Sequence, residues 1–466
     1  MKRKLSIKSI WQNENTDMIP LMLFSIIVSI VMFFSYGYVD LKSLTVWSLN
    51  LLDCLWDGNL YGYYAYCAEN AYGLVHTYMG ANYIPLIPWA VWNIPIWILQ
   101  RWFGIAAIGH AWTLLYAKLF FAAVLAVTLL YSYKILEIIV GEKGKSRKAI
   151  YLMASFPMMM IAVYYVGQTD IVSICFFVIA VYQLVQGNKK GFYLWSALSI
   201  GAKPYILLAY VAVVLLMEKN IWKILLSCLG GGIFILLFQS IYGDAPLYAE
   251  SMQQGPSAKQ LDFILGKVIT DSSGWSISLF LVLLIGLYFV IYLHSWKEGE
   301  YKELMYAITA PFLLFFAFSE FDFYRAIYLM PFLYILFVMH YDKIVFHLLF
   351  EIIANIGMIL RFYFRYMEFF SNHAVFQFVR NLYSRTGGTT WLEPIRQMRE
   401  QAAAPKAPVF TVISSMVLAA FVLLMVSNAP NCKWPLENRT GLKEKQLLWI
   451  RAAIPLILVL LSFYGK

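Results

Sequence analysis

Long apolar runs separated by short polar gaps organise this chain. The first, Ile19 to Tyr36, stops a few residues before a single carboxylate, Asp40. Trp112–Ile135, Ala149–Val166, Ile171–Val185, Ile224–Tyr242, Trp275–Leu293, Leu304–Phe318, Ala326–His340, Phe410–Val426 and Leu447–Phe463 repeat the pattern. A helix crosses the hydrocarbon core with about 20 apolar residues, whereas a barrel would show short alternating strands. The pattern therefore predicts an all-α polytopic membrane protein, a bundle of about 12–13 transmembrane helices.

Three stretches break the rhythm. Leu44, Trp47, Leu51, Leu52 and Leu55 recur at helical spacing, which predicts an amphipathic helix lying on the membrane surface. Ile84–Leu99 is apolar but short and carries Pro88 and Pro95; it reads as a helix on, or dipping into, one leaflet, with a true span as the rival. Phe192–Ala202 is half a span, ends at Lys203-Pro204-Tyr205, and is followed by apolar residues to Met217. It is either one kinked span or a hairpin of two short helices with Lys203 at the tip.

Charge orients these runs. Lys2, Arg3, Lys4 and Lys8 precede the first run, and Lys143, Lys145, Arg147 and Lys148 follow the second; basic residues collect on the cytoplasmic side. Residues 37–110 hold only two bases, Lys42 and Arg101, against four acids, so they form a large, helical first extracytoplasmic loop. Residues 243–275, with four acids and two bases, form another outer loop. The same rule returns the chain inward at Lys189 and Lys190 and at Lys219 and Lys223, which favours the hairpin at Lys203. Ile344–Leu360 is ambiguous. It contains Glu351 and Asn355, and residues 361–408 carry seven Lys or Arg. A span there puts the basic segment outside and makes 13 crossings; an interfacial helix keeps it inside and makes 12. Residues 1–340 are expected to form one module with the loop 37–110, and 341–466 a set of C-terminal helices joined by the basic segment.

Composition agrees. The chain of 466 residues is 61% hydrophobic and 13% charged, with mean hydropathy +0.67; a soluble domain carries about 25% charged residues. The net charge of +10 is accounted for by basic helix ends, and no nucleic acid is implied. The five cysteines form no CxxC or Cys/His pattern, so no metal site is legible and no cofactor is expected. Cys54 and Cys67 share the first loop, as a disulfide or as free thiols.

Under this topology four polar clusters fall on the outer face at helix ends: Asp40; Gln168 with Asp170; Lys203; and Glu320, Asp322 and Arg325. Ionisable groups at membrane depth cost roughly 2.5–3.5 kcal/mol each on insertion scales, and persist where they pair or do chemistry. Each has a plain alternative. Asp40 ends a helix in water, Thr169 or Asp170 caps the helix from Ile171, Lys203 snorkels, and Arg325 pairs with Asp322 or Glu320. Taken together on one face, a carboxylate and two cations suit proton abstraction from a hydroxyl and stabilisation of a departing phosphate.

The segment ending in Asp40, Gly58-Asn59-Leu60-Tyr61, Tyr83-Ile84-Pro85-Leu86, Gly167-Gln168-Thr169-Asp170 and Ala202-Lys203-Pro204-Tyr205 resemble, in that order, the motifs of the GT-C superfamily of integral-membrane glycosyltransferases. The similarity is to its bacterial mannosyltransferase-type members and covers about residues 1–340. Two departures stand out: the second proline after Tyr83 is displaced, and one acid rather than two follows the first helix. The resemblance implies a polyprenyl-phosphate-sugar donor, an inverting transfer to an extracytoplasmic lipid-linked or envelope glycan, and a place in the plasma membrane. It makes Asp40 the base, Lys203 and Arg325 the donor-phosphate ligands, and Gln168, Asp170, Tyr83, Glu320 and Asp322 substrate contacts. A transporter or lipid-linked saccharide flippase is the rival from another class, and a polysaccharide polymerase or ligase the rival within the chemistry.

Overall fold

A computed structural model describes residues 18–35, 39–71, 83–105, 108, 110–254, 265–266, 268–270, 274, 276–294, 296–319, 323–366, 408–430, 432, 441 and 443–464. The chain opens with α1 (Ile19–Ser35), α2 (Val39–Trp56), α3 (Tyr63–Glu69), α4 (Tyr83–Phe103) and the long α5 (Ala111–Ile139). Then come α6 (Lys143–Ala154), α7 (Pro157–Met160) with a π turn (Ile161–Val166), α8 (Asp170–Val185) and α9 (Lys189–Ala202). A 3-10 turn (Pro204–Ile206) leads into α10 (Leu207–Met217), α11 (Ile221–Gly231), α12 (Ile233–Tyr242) and α13 (Tyr248–Gln254). A three-residue antiparallel pair, β1 (Val268–Thr270) and β2 (Ser276–Ser278), precedes α14 (Leu279–Leu293) and α15 (Tyr301–Phe318). A 3-10 helix (Phe323–Leu329), α16 (Met330–Met339), α17 (Ile344–Tyr366), α18 (Pro408–Ser427) and α19 (Glu444–Tyr464) complete the described chain.

The fold is all-α apart from that small hairpin. Among the described residues, four helices are long and apolar enough to cross a membrane: α5, α15, the stretch Tyr341–Phe362 that contains α17, and α18. The number is six if each of two bent pairs counts as one span. The bends have local causes. Ala149–Val166, expected as a single run, turns by 50° where Pro157 withdraws a backbone N–H at the start of α7. Ile224–Tyr242 turns by 51° between α11 and α12 at Gly230-Gly231-Gly232. There a Cβ on Gly231 would lie 2.6 Å from the Tyr210 ring, and Tyr210 Oη donates to the Ser227 carbonyl at 2.7 Å. The glycine run thus seats an aromatic ring against bare backbone. Many large apolar side chains of α1, α11, α12 and α14 face outward, Trp222 at 71% exposure and Leu226 at 69% among them. A continuous apolar exterior of that kind fits a bilayer.

Two ends of the bundle are defined by polar contacts. At one, Lys343 Nζ, just before α17, donates to the carbonyls of Ser427 (3.1 Å) and Cys432 (2.8 Å) beyond α18. At the same end Lys148 on α6 pairs with Glu444 at the start of α19, and Tyr341 Oη donates to Glu444 as well. At the opposite end, where α8 begins with Asp170, α15 closes at Phe318, and Arg361 Nη2 near the end of α17 donates to the Ser319 carbonyl at 3.1 Å. So α17 runs the full depth of the bundle, packed against α18 and α19. Of the two readings of Ile344–Leu360, its length and hydropathy fit a crossing helix. Its two polar residues are paired inside the bundle. Glu351 is held by Arg451 Nε at 2.8 and 3.0 Å, by Tyr334 Oη at 2.7 Å and by Asn355 at 3.0 Å.

The hairpin reading at Lys203 fits the geometry. Lys219 Nζ, past α10, donates to the Tyr292 and His294 carbonyls, and Gly187, before α9, approaches Glu298 in the same connection. Both arms therefore start and finish at one end, and Lys203 is the tip at the other. The Leu44–Leu55 helix, expected as an amphipathic surface element, is covered on its polar face. In α2 Leu41, Leu44, Val46, Leu49 and Leu51 are buried together with Ser43, Thr45, Ser48, Asn50 and Asp53, because α4 packs across it. Several of its buried polar groups are met by α4 and α3: Asn93 Nδ2 donates to Ser48 Oγ at 2.7 Å, Trp97 Nε1 to Asp53 Oδ1 at 2.9 Å, and Asn50 Nδ2 to the Asn70 carbonyl at 3.1 Å. Arg101 pairs with both Asp53 (2.7 Å) and Asp57 (2.8 Å). Cys54 and Cys67 are free thiols. Burial pushes Cys54 up to about 12 and Cys67 to about 11, so neither supplies a thiolate.

Candidate active site

The site is assembled from four separate pieces of chain that meet at the Asp170 end. Asp40 sits in the first turn of α2, where a carboxylate complements the positive end of the helix dipole. It is partly exposed. Its Oδ2 accepts a 2.6 Å hydrogen bond from Gln168 Nε2, across 128 residues of sequence. That approach depends on Gly167. The π turn ends there with φ +73°, a conformation glycine adopts without steric cost. A Cβ at Gly167 would also lie 2.6 Å from Leu41 Cδ1 and 3.1 Å from the Phe121 ring. The bare glycine lets the first turn of α2 press against the start of α8.

Asp170 is wholly buried at the first position of α8. Tyr328 Oη donates to its Oδ1 at 2.6 Å, and Lys203 Nζ lies 4.0 Å from the same oxygen. Its other oxygen, Oδ2, accepts no hydrogen bond among the described residues. The N-cap expectation is corrected: Thr169 occupies the cap position without a side-chain capping bond, and Asp170 turns to the 3-10 helix instead. Lys203 breaks the chain between α9 and α10 with extended backbone (φ −150°, ψ 118°). Extension here follows from Pro204, which disfavours the helical region for the residue before it. α8 and α9 lie side by side, Ser173 and Ser199 exchanging hydrogen bonds of 2.9 and 2.7 Å, and this pairing returns Lys203 to the level of Asp170.

Arg325 lies in the 3-10 helix, buried, within electrostatic reach of both Asp170 and Lys203. Asp40 is also within reach of Lys203. Asp40, Gln168, Asp170, Lys203 and Arg325 thus form one neighbourhood of two carboxylates and two cations, with a neutral amide donor between. Glu320, Asp322 and the side chain of Tyr83 lie outside the described residues. Among the described residues no three His, Cys, Asp or Glu side chains gather as metal ligands do.

Sequence reasoning missed Tyr328 and Arg361. Tyr328 falls one 3-10 turn after Arg325, so that i+3 spacing placed it on the same face, but an aromatic in an apolar run gives no other sign. Arg361 was one of seven bases in a segment whose side was undecided. The helix ends also carry an aromatic wall. Tyr205, next to Lys203, meets the Tyr328 ring at 6.1 Å and Phe315 at 5.6 Å. No profile of a known family matches the chain, and no curated protein or solved structure matches it.

Proposed function

We propose that this chain is an inverting membrane glycosyltransferase, in line with the GT-C resemblance of its motifs. In this reading the Asp170 end faces the extracytoplasmic side of the plasma membrane, in line with the positive-inside rule, and α17 is counted as a span, which makes 13. The observation that carries the reading is the meeting of Asp40 and Gln168 with Asp170, Lys203 and Arg325 from four distant segments. A sugar reaches the site on a polyprenyl phosphate. Asp40 takes the proton from an acceptor hydroxyl, on a lipid-linked or envelope glycan, as that oxygen attacks the anomeric carbon from the face opposite the phosphate. The bond from the anomeric carbon to the phosphate oxygen breaks, and its electron pair stays on the phosphate. Lys203 and Arg325 hold the phosphate and its growing charge. Gln168 fixes the Asp40 carboxylate, and Asp170 orients Lys203. No metal is needed for this charge balance.

The direct test is transfer of label from radiolabelled polyprenyl-phosphate sugars by purified protein in vesicles. Label appearing in a glycolipid acceptor is the expected result. Absence of transfer across hexose and pentose donors, with the protein folded, overturns the proposal. Within that assay, Lys203→Ala should raise the donor KM about 10- to 100-fold, the worth of a charge-assisted contact. An unchanged donor KM would assign Lys203 to pairing with Asp170 alone.

One observation favours a second reading, a polymerase or ligase using a lipid-diphosphate donor. Arg361 adds a further cation at the Ser319 end, and the basic residues beyond it would then sit on the site's side of the membrane. Single cysteines introduced as Lys145→Cys, Lys189→Cys and Arg380→Cys, with native thiols blocked, test the sidedness. The first two should label from the cytoplasm and the third from outside. Labelling of all three from one side would remove both the 13-span count and the second reading.

A further inference from the structure

A groove lies away from the candidate site. It encloses about 810 Å³ between α1, α5 and α6, and Asp40, Gln168, Asp170, Lys203 and Arg325 are absent from its lining. One wall is the face of α1 from Met18 to Phe34, including Met22, Ile26 and Ile30, a length of about 24 Å at helical rise. The opposite wall includes Leu130 and Tyr133. The lining is mostly apolar, with Ser25, Ser29 and Ser155 among it, and reaches Arg147 and Lys148 at the Lys343 end. Lys148 is already paired with Glu444. Arg147 is exposed and lies near Tyr133, which hydrogen-bonds Glu137. At this mouth Lys143, Lys145, Arg147 and Lys148 stand against Glu137, Glu142 and Glu444, a net excess of one positive charge, with Lys145 pairing with Glu142 at 2.8 Å.

A long apolar channel with an excess of positive charge at one mouth matches a molecule with a hydrocarbon tail and one anionic head. We propose that the groove holds an anionic phospholipid of the cytoplasmic leaflet, its phosphate on Arg147 and an acyl chain along α1. Basic pockets between helices on the cytoplasmic side attract such headgroups. A lipid-linked sugar is a poorer match, because a headgroup seated at Arg147 is at the far end of the bundle from Lys203. The site does not depend on the chain being a transferase.

Protein purified from membranes and exchanged into vesicles of defined lipid, then released from detergent for native mass spectrometry, should retain one phosphatidylglycerol through delipidation. Phosphatidylcholine of the same chain length should be lost. Arg147→Gln, at an exposed position, should weaken retention about fivefold, the effect of one basic residue at a membrane surface. Ala126→Trp, on the exposed groove wall of α5, should abolish retention without changing charge. Equal retention of the two phospholipids, or retention unchanged in both variants, overturns the proposal. So does displacement of phosphatidylglycerol by equimolar polyprenyl phosphate, which would hand the groove to the sugar carrier's tail.

Discussion

Asp40→Asn should leave the protein folded and lower sugar transfer by about 10²- to 10⁴-fold, the usual worth of a positioned general base. The substitution keeps the shape of the side chain, and the amide oxygen of Asn still accepts from Gln168 Nε2. Asp40 is partly exposed, so neutralising it removes no deeply buried charge and the bundle has little reason to respond. What the variant loses is the basic carboxylate beside the acceptor. The rate loss should therefore appear in kcat, with donor KM nearly unchanged, since the cations that hold the phosphate remain. Gln168→Leu makes the useful comparison: it keeps the carboxylate but frees it to rotate, so kcat falls by less than in Asp40→Asn. Wild-type turnover by Asp40→Asn in the vesicle assay, with the detergent-solubilised protein eluting as a single species, would remove Asp40 from the chemistry.

What could be read from the chain alone was the part governed by solvent and charge. The bilayer sorts residues by polarity over stretches of about 20, and basic residues mark one side. Those two rules were enough to place Lys203 at a hairpin tip and Asp170 at a helix start at the same level, although the chain between them returns through the bundle. They failed where short-range geometry decides. Nothing in the sequence of Ile344–Leu360 shows that the Glu351 side chain is met inside the bundle, because its partner is Arg451, 100 residues away. Nothing in the spacing of Leu44–Leu55 shows that its polar face is covered, because the cover is Asn93 and Trp97 of another helix. The capping expectation at Thr169–Asp170 failed for the same reason. A local rule assigned the carboxylate to its own helix, and a tyrosine 158 residues on takes it instead.

The opposite kind of effect is expected at Arg451, which touches none of the candidate site residues and should matter most for folding. Its guanidinium is 1% exposed and every face of it is used. Nε bonds both Glu351 oxygens, Nη1 donates to Ser155 Oγ at 2.7 Å, and Nη2 donates to the Leu152 carbonyl at 2.6 Å and to Tyr334 Oη at 2.7 Å. One side chain of α19 thereby fastens α17, α16 and the bend after α6. Arg451→Leu leaves Glu351 buried with only Tyr334 and Asn355, and strands the Leu152 carbonyl. Breaking a buried pair from one side costs about 3–5 kcal/mol, a large fraction of the stability of a marginally stable chain. Thermal unfolding followed by size-exclusion fluorescence should show Arg451→Leu melting far below the wild-type protein. The double variant Glu351→Gln with Arg451→Met should recover much of the loss, because it removes both charges together and fills similar volume. If Arg451→Leu melts at the wild-type temperature, α19 is held by its apolar contacts with α1 and α17 and the ionic network contributes little. If the double variant melts no higher than the single one, the stranded Leu152 carbonyl, rather than the unpaired Glu351 charge, sets the cost.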